Sequence, residues 1–325
     1  MNIKVKHTVL MICYNQERYI EVALDSLLCE TIKPYEIIIG DDASSDGTRE
    51  ILDNYKKKYP DIINLVLNEK NMGIFANLNN LVKKASGDMI HFLAGDDWYK
   101  PHFLENTNKY INEKQLDLNT EKFIFLPNDV VHSSDGSERV RKNDPKIIGQ
   151  YSPLGIVLRD LVYWRHVCLS RALFEKYPPF PEDMHNIGYW ADRVQHIMLA
   201  QHIEKQYIVD FVGPVYREGI GVSSKASRYD LDRSYCAALR EIFSLCESGE
   251  LKLNRVDYGY LKFLIITSEL KLQCNCFDYL KCVRLGLRQI LINKFDFRPI
   301  LNVLFIIPRR LLSGSFVGTI WRRYN

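Results

Sequence analysis

Short apolar runs alternate with amphipathic helical segments over the first hundred residues, and this alternation limits the fold more than any other feature. The strand-like runs are residues 8–13, 37–39, 63–67 and 89–93, and the helical segments are residues 19–28, 51–59 and 74–82. Strands separated by helices of this length suit right-handed crossover connections. The sequence therefore predicts the α/β class, with a doubly wound, mainly parallel sheet.

Individual residues are expected to mark the helix ends. Asn15 precedes the first helical segment and is expected to cap it, because an Asn side chain accepts hydrogen bonds from the free amides of a helix start. Pro60 ends the second helix, because proline cannot continue one. Gly87 is expected as the C-cap residue of the third helix, where glycine tolerates the left-handed conformation.

The pattern changes along the second half of the chain. We expect a helix from Pro101 to about residue 114, strands at residues 123–131 and 207–216, and helices from about residue 231 onward. This change predicts a first domain over residues 1–228 and a helical C-terminal region over residues 229–325.

Composition limits the cellular setting. A formal net charge of +3 is far from the strong excess of basic residues that is typical of nucleic-acid-binding proteins, so nucleic acid is not an expected partner. The eight cysteines lie mostly in apolar segments, and residues 1–6 lead directly into a strand rather than a secretory signal. We expect reduced, buried thiols and a cytoplasmic location.

The C-terminal region combines basic and apolar residues. From Lys281 onward, Asp296 is the only acid among nine Lys and Arg residues, and the apolar stretch 299–307 is too short to span a bilayer. Two interpretations stay open. The region is either a peripheral helix on the anionic inner face of the cytoplasmic membrane or a helical lid that packs on the first domain.

Acidic pairs follow two of the predicted parallel strands. Asp41 and Asp42 come after the second strand, and Asp96 and Asp97 come after the fourth. The carboxyl ends of parallel strands share one edge of a sheet, where ligands bind in folds of this type. A structural interpretation is also open, because Asp, Ser and Gly form turns and cap helices.

Carboxylates at one edge would meet the chemical needs of sugar transfer from a nucleotide diphosphate. Mg²⁺ or Mn²⁺ prefers carboxylate and phosphate oxygens, and it can neutralise the charge that develops on the leaving diphosphate. A further carboxylate can take the proton from the incoming hydroxyl.

Four segments in order resemble the signatures of family 2 glycosyltransferases, which are inverting, nucleotide-sugar-dependent enzymes with the GT-A fold. The segments are Met11-Ile12-Cys13-Tyr14-Asn15-Gln16-Glu17, Asp41-Asp42-Ala43-Ser44-Ser45-Asp46-Gly47-Thr48, Asn71-Met72-Gly73 and Asp96-Asp97. The resemblance is dense over residues 7–105 and thinner to about residue 224. It implies that the first domain is a GT-A catalytic domain, and four signatures in sequence are specific together.

The resemblance implies roles for residues at matching positions. The nucleotide site would be lined by Tyr14, Asn15 and Glu17, with Asp42 or its neighbour Asp41 on the base or ribose. Asp97 would be the metal ligand, with Asp96 beside it on ribose or metal. The family often has a further acid where this chain has Ala94, which weakens part of that contact.

The catalytic base and the diphosphate contact are also implied by the resemblance. Asp192 stands where the family places its base, although Ala191 replaces the usual Glu, and Asp183 is the alternative base. Arg217 follows the last predicted strand and would hold the diphosphate through charge-assisted hydrogen bonds. His166, His185, His196 and His202 show no metal-ligand spacing and are expected to be ordinary polar or core histidines.

These features predict an inverting transferase that moves a hexosyl or N-acetylhexosaminyl group from a nucleotide sugar to a glycan or lipid-linked acceptor. UDP is the first choice of nucleotide, and dTDP and GDP are alternatives. Assembly of a bacterial-type surface polysaccharide is the expected setting. The substitutions Ala94 and Ala191 keep open a catalytically degenerate subunit that binds nucleotide or membrane without turnover.

Overall fold

The computed structural model describes residues 3–164, 166–177 and 187–273. These residues form two compact units. The first unit holds residues 3–164, 166–177 and 198–225, and the second holds residues 187–197 and 226–273. The predicted domain boundary near residue 228 stays a prediction.

A mixed sheet of nine strands is the centre of the first unit, in the order β3-β2-β1-β4-β8-β6-β9-β5 with β7 beside β6. The strands are β1 (His7–Cys13), β2 (Glu36–Asp41), β3 (Ile63–Leu67), β4 (Met89–Ala94), β5 (Trp98–Tyr99), β6 (Phe123–His132), β7 (Glu138–Arg141), β8 (Cys168–Ser170) and β9 (Lys205–Arg217). Strands β1 to β4 are mutually parallel, as are β6 and β9. The short strand β8 joins these two groups by antiparallel pairing with β4 and β6.

Helices connect the parallel strands. In the first unit they are α1 (Ile20–Leu28), α2 (Thr48–Lys58), α3 (Ile74–Val82), α4 (Phe103–Lys114), α5 (Pro153–Leu158) and α6 (Arg171–Phe174). The predicted α/β class with a mainly parallel sheet is confirmed. The sequence pattern did not predict β5 or β8, because strands of two or three residues are too short to show a period.

Burial follows the predicted apolar spacing. In α1 the side chains of Ile20, Leu24 and Leu27 have no exposed surface, and the residues of β1 are almost wholly covered. A buried aliphatic side chain of this kind contributes about 1.5–3 kcal/mol. This packing fixes the carboxyl end of β1, where the first signature begins.

Two predicted helix caps are wrong. Helix α1 begins at Ile20 and has no side-chain cap, whereas Asn15 lies five residues earlier with a positive φ of 52°. Its side chain bonds to a neighbouring loop instead. Helix α3 ends at Val82, so Gly87 is not its cap. A Cβ at Gly87 would meet the Lys6 carbonyl at 2.5 Å, which shows that close approach of the loop to β1 requires glycine here.

Helices make up most of the second unit. They are α8 (Arg228–Ser248), α9 (Arg255–Gln273) and the one-turn 3-10 helix Gly188–Trp190, which leads into α7 (Ala191–Ala200). Ser227 caps α8 by accepting a hydrogen bond from the Asp230 amide at 3.1 Å.

The C-terminal prediction falls mainly outside the described residues. The basic and apolar residues from 281 onward, with either proposed role of that region, are not among them. In the described part of the chain, no helix is both long enough and apolar enough to cross a bilayer. Cys13, Cys168 and Cys236 are buried as expected, but Cys29 is exposed.

Candidate functional site

Loops at the carboxyl ends of β1 and β2 hold each other through reciprocal hydrogen bonds. Ser44 Oγ accepts from the Asn15 amide at 2.9 Å, and Asn15 Oδ1 accepts from the Ser45 amide at 2.8 Å. One turn further, Glu17 Oε2 accepts from the Gly47 amide at 2.7 Å. The loops of the first two signatures, residues 14–17 and 42–48, are therefore connected. We call this edge of the sheet the rim; the parallel pairing of β1 and β2 brings the two loops together there.

Asp46 completes this connection. Its carboxylate accepts from the Glu17 amide at 3.1 Å and from the Thr48 amide at 3.0 Å. Partial burial raises the pKa of Asp46, but hydrogen bonds from Thr48 and Glu17 outweigh burial and bring the pKa below its ordinary value. Beside this rigid pair of loops, Tyr14 is 47% exposed, so its ring is accessible to a ligand.

Asp41 ends β2 and is wholly buried. Its Oδ2 accepts from Nε of Arg49 at 2.6 Å and from the Ser44 amide at 3.1 Å. Arg49 also donates to the carbonyl oxygen of Asn68. In the described structure Asp41 stabilises the loop after β2 through its contacts with Arg49 and the Ser44 amide. Its predicted contact with base or ribose stays a prediction.

Asp42 holds the third signature. Its Oδ1 accepts from the Met72 amide at 2.8 Å and from Nδ2 of Asn68 at 3.0 Å, while Oδ2 accepts from the Gly73 amide at 2.8 Å. Asp42 is 4% exposed. The residues of the second and third signatures are therefore brought together at one place by a single carboxylate.

The second acidic pair follows β4 and lies against the end of β9. Asp97 Oδ1 accepts from the Arg217 amide at 2.8 Å, and the Asp96 carbonyl accepts from Nε of Arg217 at 3.0 Å. The Arg217 guanidinium lies 4.5 Å from the ring centre of Trp98 and 5.0 Å from that of Tyr19. Residues 120 positions apart thus meet at the rim, where two aromatic faces orient the cation.

The guanidinium of Arg217 is suited to an anionic ligand. Within the described part of the chain, the Arg217 side chain donates its hydrogen bond through Nε, and its two terminal nitrogens make none. A guanidinium fork of this kind matches phosphate oxygens. The geometry is thus compatible with the predicted diphosphate contact.

A buried histidine adjoins Asp97, which the sequence did not predict. Nε2 of His166 lies 3.1 Å from Asp97 Oδ2, and both side chains are 3% exposed. His166 was expected to be an ordinary polar or core histidine; it is buried, and only its contact with Asp97 was not predicted. No spacing in the sequence could have revealed this contact, because it spans 69 positions.

Glycine at position 95 allows the fourth signature to approach β1. A Cβ at Gly95 would meet Oε1 of Gln16 at 2.2 Å, Cδ1 of Ile20 at 2.8 Å and Cβ of Cys13 at 3.0 Å. The Gly95 amide donates to the Ile12 carbonyl at 2.9 Å. Close packing at this residue brings the acidic pair onto the same edge as the first signature.

Of the two candidate bases, Asp192 lies in the described part of the chain and Asp183 does not. Asp192 lies in the first turn of α7 in the second unit, is exposed, and accepts a hydrogen bond from the Arg193 amide at 2.8 Å. The assignment of the base therefore stays a prediction.

The residues near Asp97 fit a divalent cation that is shared with a diphosphate. Among the described residues, no three or more His, Cys, Asp or Glu side chains are grouped to enclose a metal. Mg²⁺ is commonly held by one or two carboxylates together with substrate phosphates. A carboxylate offers about four acceptor directions, and the contacts with Arg217 and His166 occupy one direction on each oxygen of Asp97.

Comparison with known proteins agrees with the fold and the signatures. Residues 8–148 match the model of glycosyl transferase family 2. TuaG of Bacillus subtilis (strain 168), a glycosyltransferase named for teichuronic acid biosynthesis, is 33% identical over 116 residues, which are 36% of this chain and 46% of that protein. The chain spans less than half the length of the curated relatives it matches.

Two solved structures share the fold. The crystal structure of Staphylococcus aureus TarS 1–349 has a TM-score of 0.60 at 16% identity, covers 96% of this chain and 92% of its own, and is also known with UDP and with UDP-GlcNAc. The mannosyltransferase PcManGT from Pyrobaculum calidifontis, in complex with GDP-Man and Mn²⁺, has a TM-score of 0.51 at 14% identity and covers 96% of this chain and 89% of its own. The family model of glycosyl transferase family 2 thus matches the part of this chain that runs from β1 through the hairpin of β6 and β7, the part that carries the four signatures.

Proposed function

We propose that this protein is an inverting glycosyltransferase that moves a hexosyl or N-acetylhexosaminyl group from a nucleotide sugar to an acceptor hydroxyl. The observation that carries the proposal is the meeting of Asp96, Asp97 and Arg217 at the rim that also holds the first signature. This arrangement supports the proposal, because binding of a diphosphate needs a carboxylate that can hold a metal ion and a cationic side chain such as that of Arg217.

UDP is the proposed nucleotide, with dTDP and GDP as alternatives. The complexes of TarS with UDP and UDP-GlcNAc support UDP, and the complex of PcManGT shows that GDP also occurs on this fold. The base and ribose would lie against the joined loops of the first two signatures, with the exposed ring of Tyr14 and the side chains of Asn15 and Glu17 nearby.

Mn²⁺ or Mg²⁺ is the proposed cofactor, held by Asp97 with Asp96 beside it. The Mn²⁺ in the PcManGT complex supports this choice. When bound, the cation would neutralise charge on the leaving diphosphate. Arg217 would orient the same diphosphate through its terminal nitrogens, held in place by the faces of Trp98 and Tyr19.

Asp192 is the proposed catalytic base, with Asp183 as the alternative. Its carboxylate would take the proton of the acceptor hydroxyl while that oxygen attacks the anomeric carbon from the face opposite the diphosphate. A single displacement of this kind inverts the anomeric centre. Exposure of Asp192 is compatible with contact to an acceptor.

The proposed acceptor is a glycan or lipid-linked glycan in the assembly of a bacterial surface polysaccharide. Likeness to TuaG, which is named for teichuronic acid biosynthesis, supports this setting. The proposed location is cytoplasmic, with peripheral contact between the basic C-terminal region and the inner face of the membrane. Sedimentation with anionic liposomes tests that contact, because removing residues 295–325 should abolish it, and equal sedimentation of the truncated form would contradict it.

A second candidate is a degenerate subunit that binds nucleotide without turnover. It is favoured by Ala94 and Ala191, which occupy positions where the family usually has acids. Release of UDP from a panel of UDP-sugars, with Mn²⁺ and then with a chelator, separates the two candidates. The proposed enzyme releases UDP only with the metal, while a binding subunit retains UDP and releases none from any donor.

The role of Asp192 is tested in the same assay. General base catalysis contributes about 10²–10⁴-fold, so Asp192→Asn should lower kcat by at least about 10²-fold with little change in UDP affinity. Asp53→Asn is the matched control, because Asp53 is also an exposed helical aspartate and lies outside the site. Unchanged turnover in Asp192→Asn would remove this residue as the base and favour Asp183.

A further inference from the structure

A buried polar chain extends from Asp97 into the sheet. His166 precedes β8, which runs antiparallel to both β4 and β6. Strand β8 pairs with residues 89–91 of β4 and 124–125 of β6, so the residues that precede β8 lie further along both strands, toward the edge that carries the acidic pair. This topology brings Nε2 of His166 to 3.1 Å from Asp97 Oδ2.

The two hydrogen bonds of Asp97 fix both of its oxygens. Oδ1 accepts from the Arg217 amide at 2.8 Å, and Oδ2 accepts from His166, since a carboxylate has no proton to donate. The plane of the carboxylate is thus set from two sides, by the backbone of β9 and by the imidazole. At 3% exposure, its side chain has little water to replace either contact.

A second carboxylate lies on the far side of the imidazole. Nδ1 of His166 is 4.0 Å from Oδ2 of Asp129, which is 4% exposed and lies on β6. Arg141 on β7 donates two hydrogen bonds to the Asp129 carboxylate, one from Nε at 2.8 Å and one from a terminal nitrogen. The Arg141 guanidinium in turn lies 4.5 Å from the ring centre of Tyr163. These contacts fix Asp129 beside the imidazole, while Nδ1 of His166 has no hydrogen-bond partner among the described residues.

We propose that His166 is a positioning residue, which orients the Asp97 carboxylate for the divalent cation and the donor diphosphate. The assignment rests on the proposed function, since it presumes that Asp97 is the metal ligand. Residues that hydrogen-bond to a ligating side chain fix its orientation, and their loss commonly costs about 10–100-fold in metal affinity or activity. Without His166, Oδ2 of Asp97 would lose its hydrogen-bond donor, and the carboxylate would be free to rotate away from its position.

The competing explanation is that His166 only stabilises the fold. Two variants separate these explanations. His166→Leu removes the donor but fills a similar volume, and His166→Gln keeps an N–H donor at about the distance of Nε2. His91→Leu is the control, because His91 is also a fully buried histidine of the sheet, with its Nε2 2.9 Å from Nδ1 of His7 and no described contact with the rim.

The test is Mn²⁺ binding to the full chain in the presence of UDP, followed by the electron paramagnetic resonance signal of free Mn²⁺. We expect the Mn²⁺ dissociation constant to rise about 10–100-fold in His166→Leu, to return toward the wild-type value in His166→Gln, and to stay unchanged in His91→Leu. The melting temperature of each variant, measured without metal, shows whether it is folded. A purely structural role would shift the melting temperatures but leave the Mn²⁺ affinity of the folded protein unchanged.

Wild-type-like Mn²⁺ affinity in folded His166→Leu would overturn the positioning role, as would equal weakening in the Gln and Leu variants. Both results leave the proposed function intact if the wild-type protein releases UDP from a donor. A wild-type protein that neither binds Mn²⁺ with UDP nor releases UDP would overturn the proposed function itself, and the positioning role with it. The two failures are therefore distinguishable.

Discussion

Replacement of Asp42 by alanine tests whether this carboxylate holds the rim together. Three donors meet its two oxygens, namely Nδ2 of Asn68 at 3.0 Å and the amides of Met72 and Gly73, each at 2.8 Å. Asp42 itself is 4% exposed. The alanine variant removes this acceptor from all three donors, but the Gly73 amide also donates to Asn71 Oδ1 at 3.1 Å and Nδ2 of Asn68 to Asn77 Oδ1 at 3.2 Å.

The size of the effect follows from these contacts. A buried donor that loses its partner costs about 1–3 kcal/mol, so three donors set a range of about 3–9 kcal/mol. Met72 is 38% exposed, and its amide can turn toward water. We therefore expect the lower end, about 3 kcal/mol, for Asp42→Ala. Asp42→Asn retains one oxygen acceptor and should lose about half as much.

Thermal unfolding measures this loss. For a domain the size of the first unit, 1 kcal/mol corresponds to about 2–4 °C, so Asp42→Ala should melt about 6–12 °C below the wild-type protein. Asp61→Ala removes an exposed carboxylate near β3 and should leave the melting temperature unchanged. A decrease of less than about 2 °C in Asp42→Ala would refute the reasoning, because it would mean that the three donors are satisfied without the carboxylate.

Further predictions concern packing, the diphosphate and pH. Gly95→Ala should destabilise the protein by about 1–3 kcal/mol, because its Cβ would lie 2.2 Å from Gln16 Oε1. Arg217→Met should raise the UDP dissociation constant roughly 10–150-fold through loss of a charge-assisted contact of about 1.5–3 kcal/mol, measured by calorimetry. Burial raises the pKa of Glu30 from 4.5 to about 7, so the folded state keeps a proton that the unfolded chain releases and loses stability as pH rises through that range. Urea unfolding should therefore show Glu30→Gln gaining stability relative to the wild-type protein between those two pH values.

Controls for these predictions lie elsewhere in the chain. A Cβ at Gly221 meets nothing within 4 Å, so Gly221→Ala should unfold like the wild-type protein. Arg139→Met removes an exposed arginine that pairs with Glu218 and should not change UDP affinity. Glu113→Gln, on the exposed face of α4, should show no change in pH dependence relative to the wild-type protein. Equal effects in a control and its test variant, or a Glu30→Gln difference that is independent of pH, would contradict the corresponding prediction.

Local periodicity was sufficient to predict the strands and helices of the first hundred residues. Continuous apolar runs such as β1 and evenly spaced apolar faces such as α1 carry their own signal, because their period reflects the layers that cover them. The two acidic pairs could be placed on one edge by the rule that parallel strands end together. The resemblance to family 2 glycosyltransferases depended on these same local segments.

Contacts between distant segments carried no such signal. Asn15 looks like a helix cap in the sequence, but the neighbouring loop offers its side chain the Ser45 amide instead. Asp41 and Asp42 look alike as acids, yet one pairs with Arg49 and the other holds the third signature. Such choices depend on which donors the folded chain brings within hydrogen-bond distance.

The sequence by itself determined the class of fold, the edge on which the acids lie and the family signatures, because each is encoded within a few neighbouring residues. Only the tertiary structure decided that Arg217 and His166 flank Asp97, across 120 and 69 positions of chain. Strand β8, three residues long, makes the second contact by inserting between β4 and β6. Long-range pairing of this kind arises from sheet order, which no local pattern of side chains specifies.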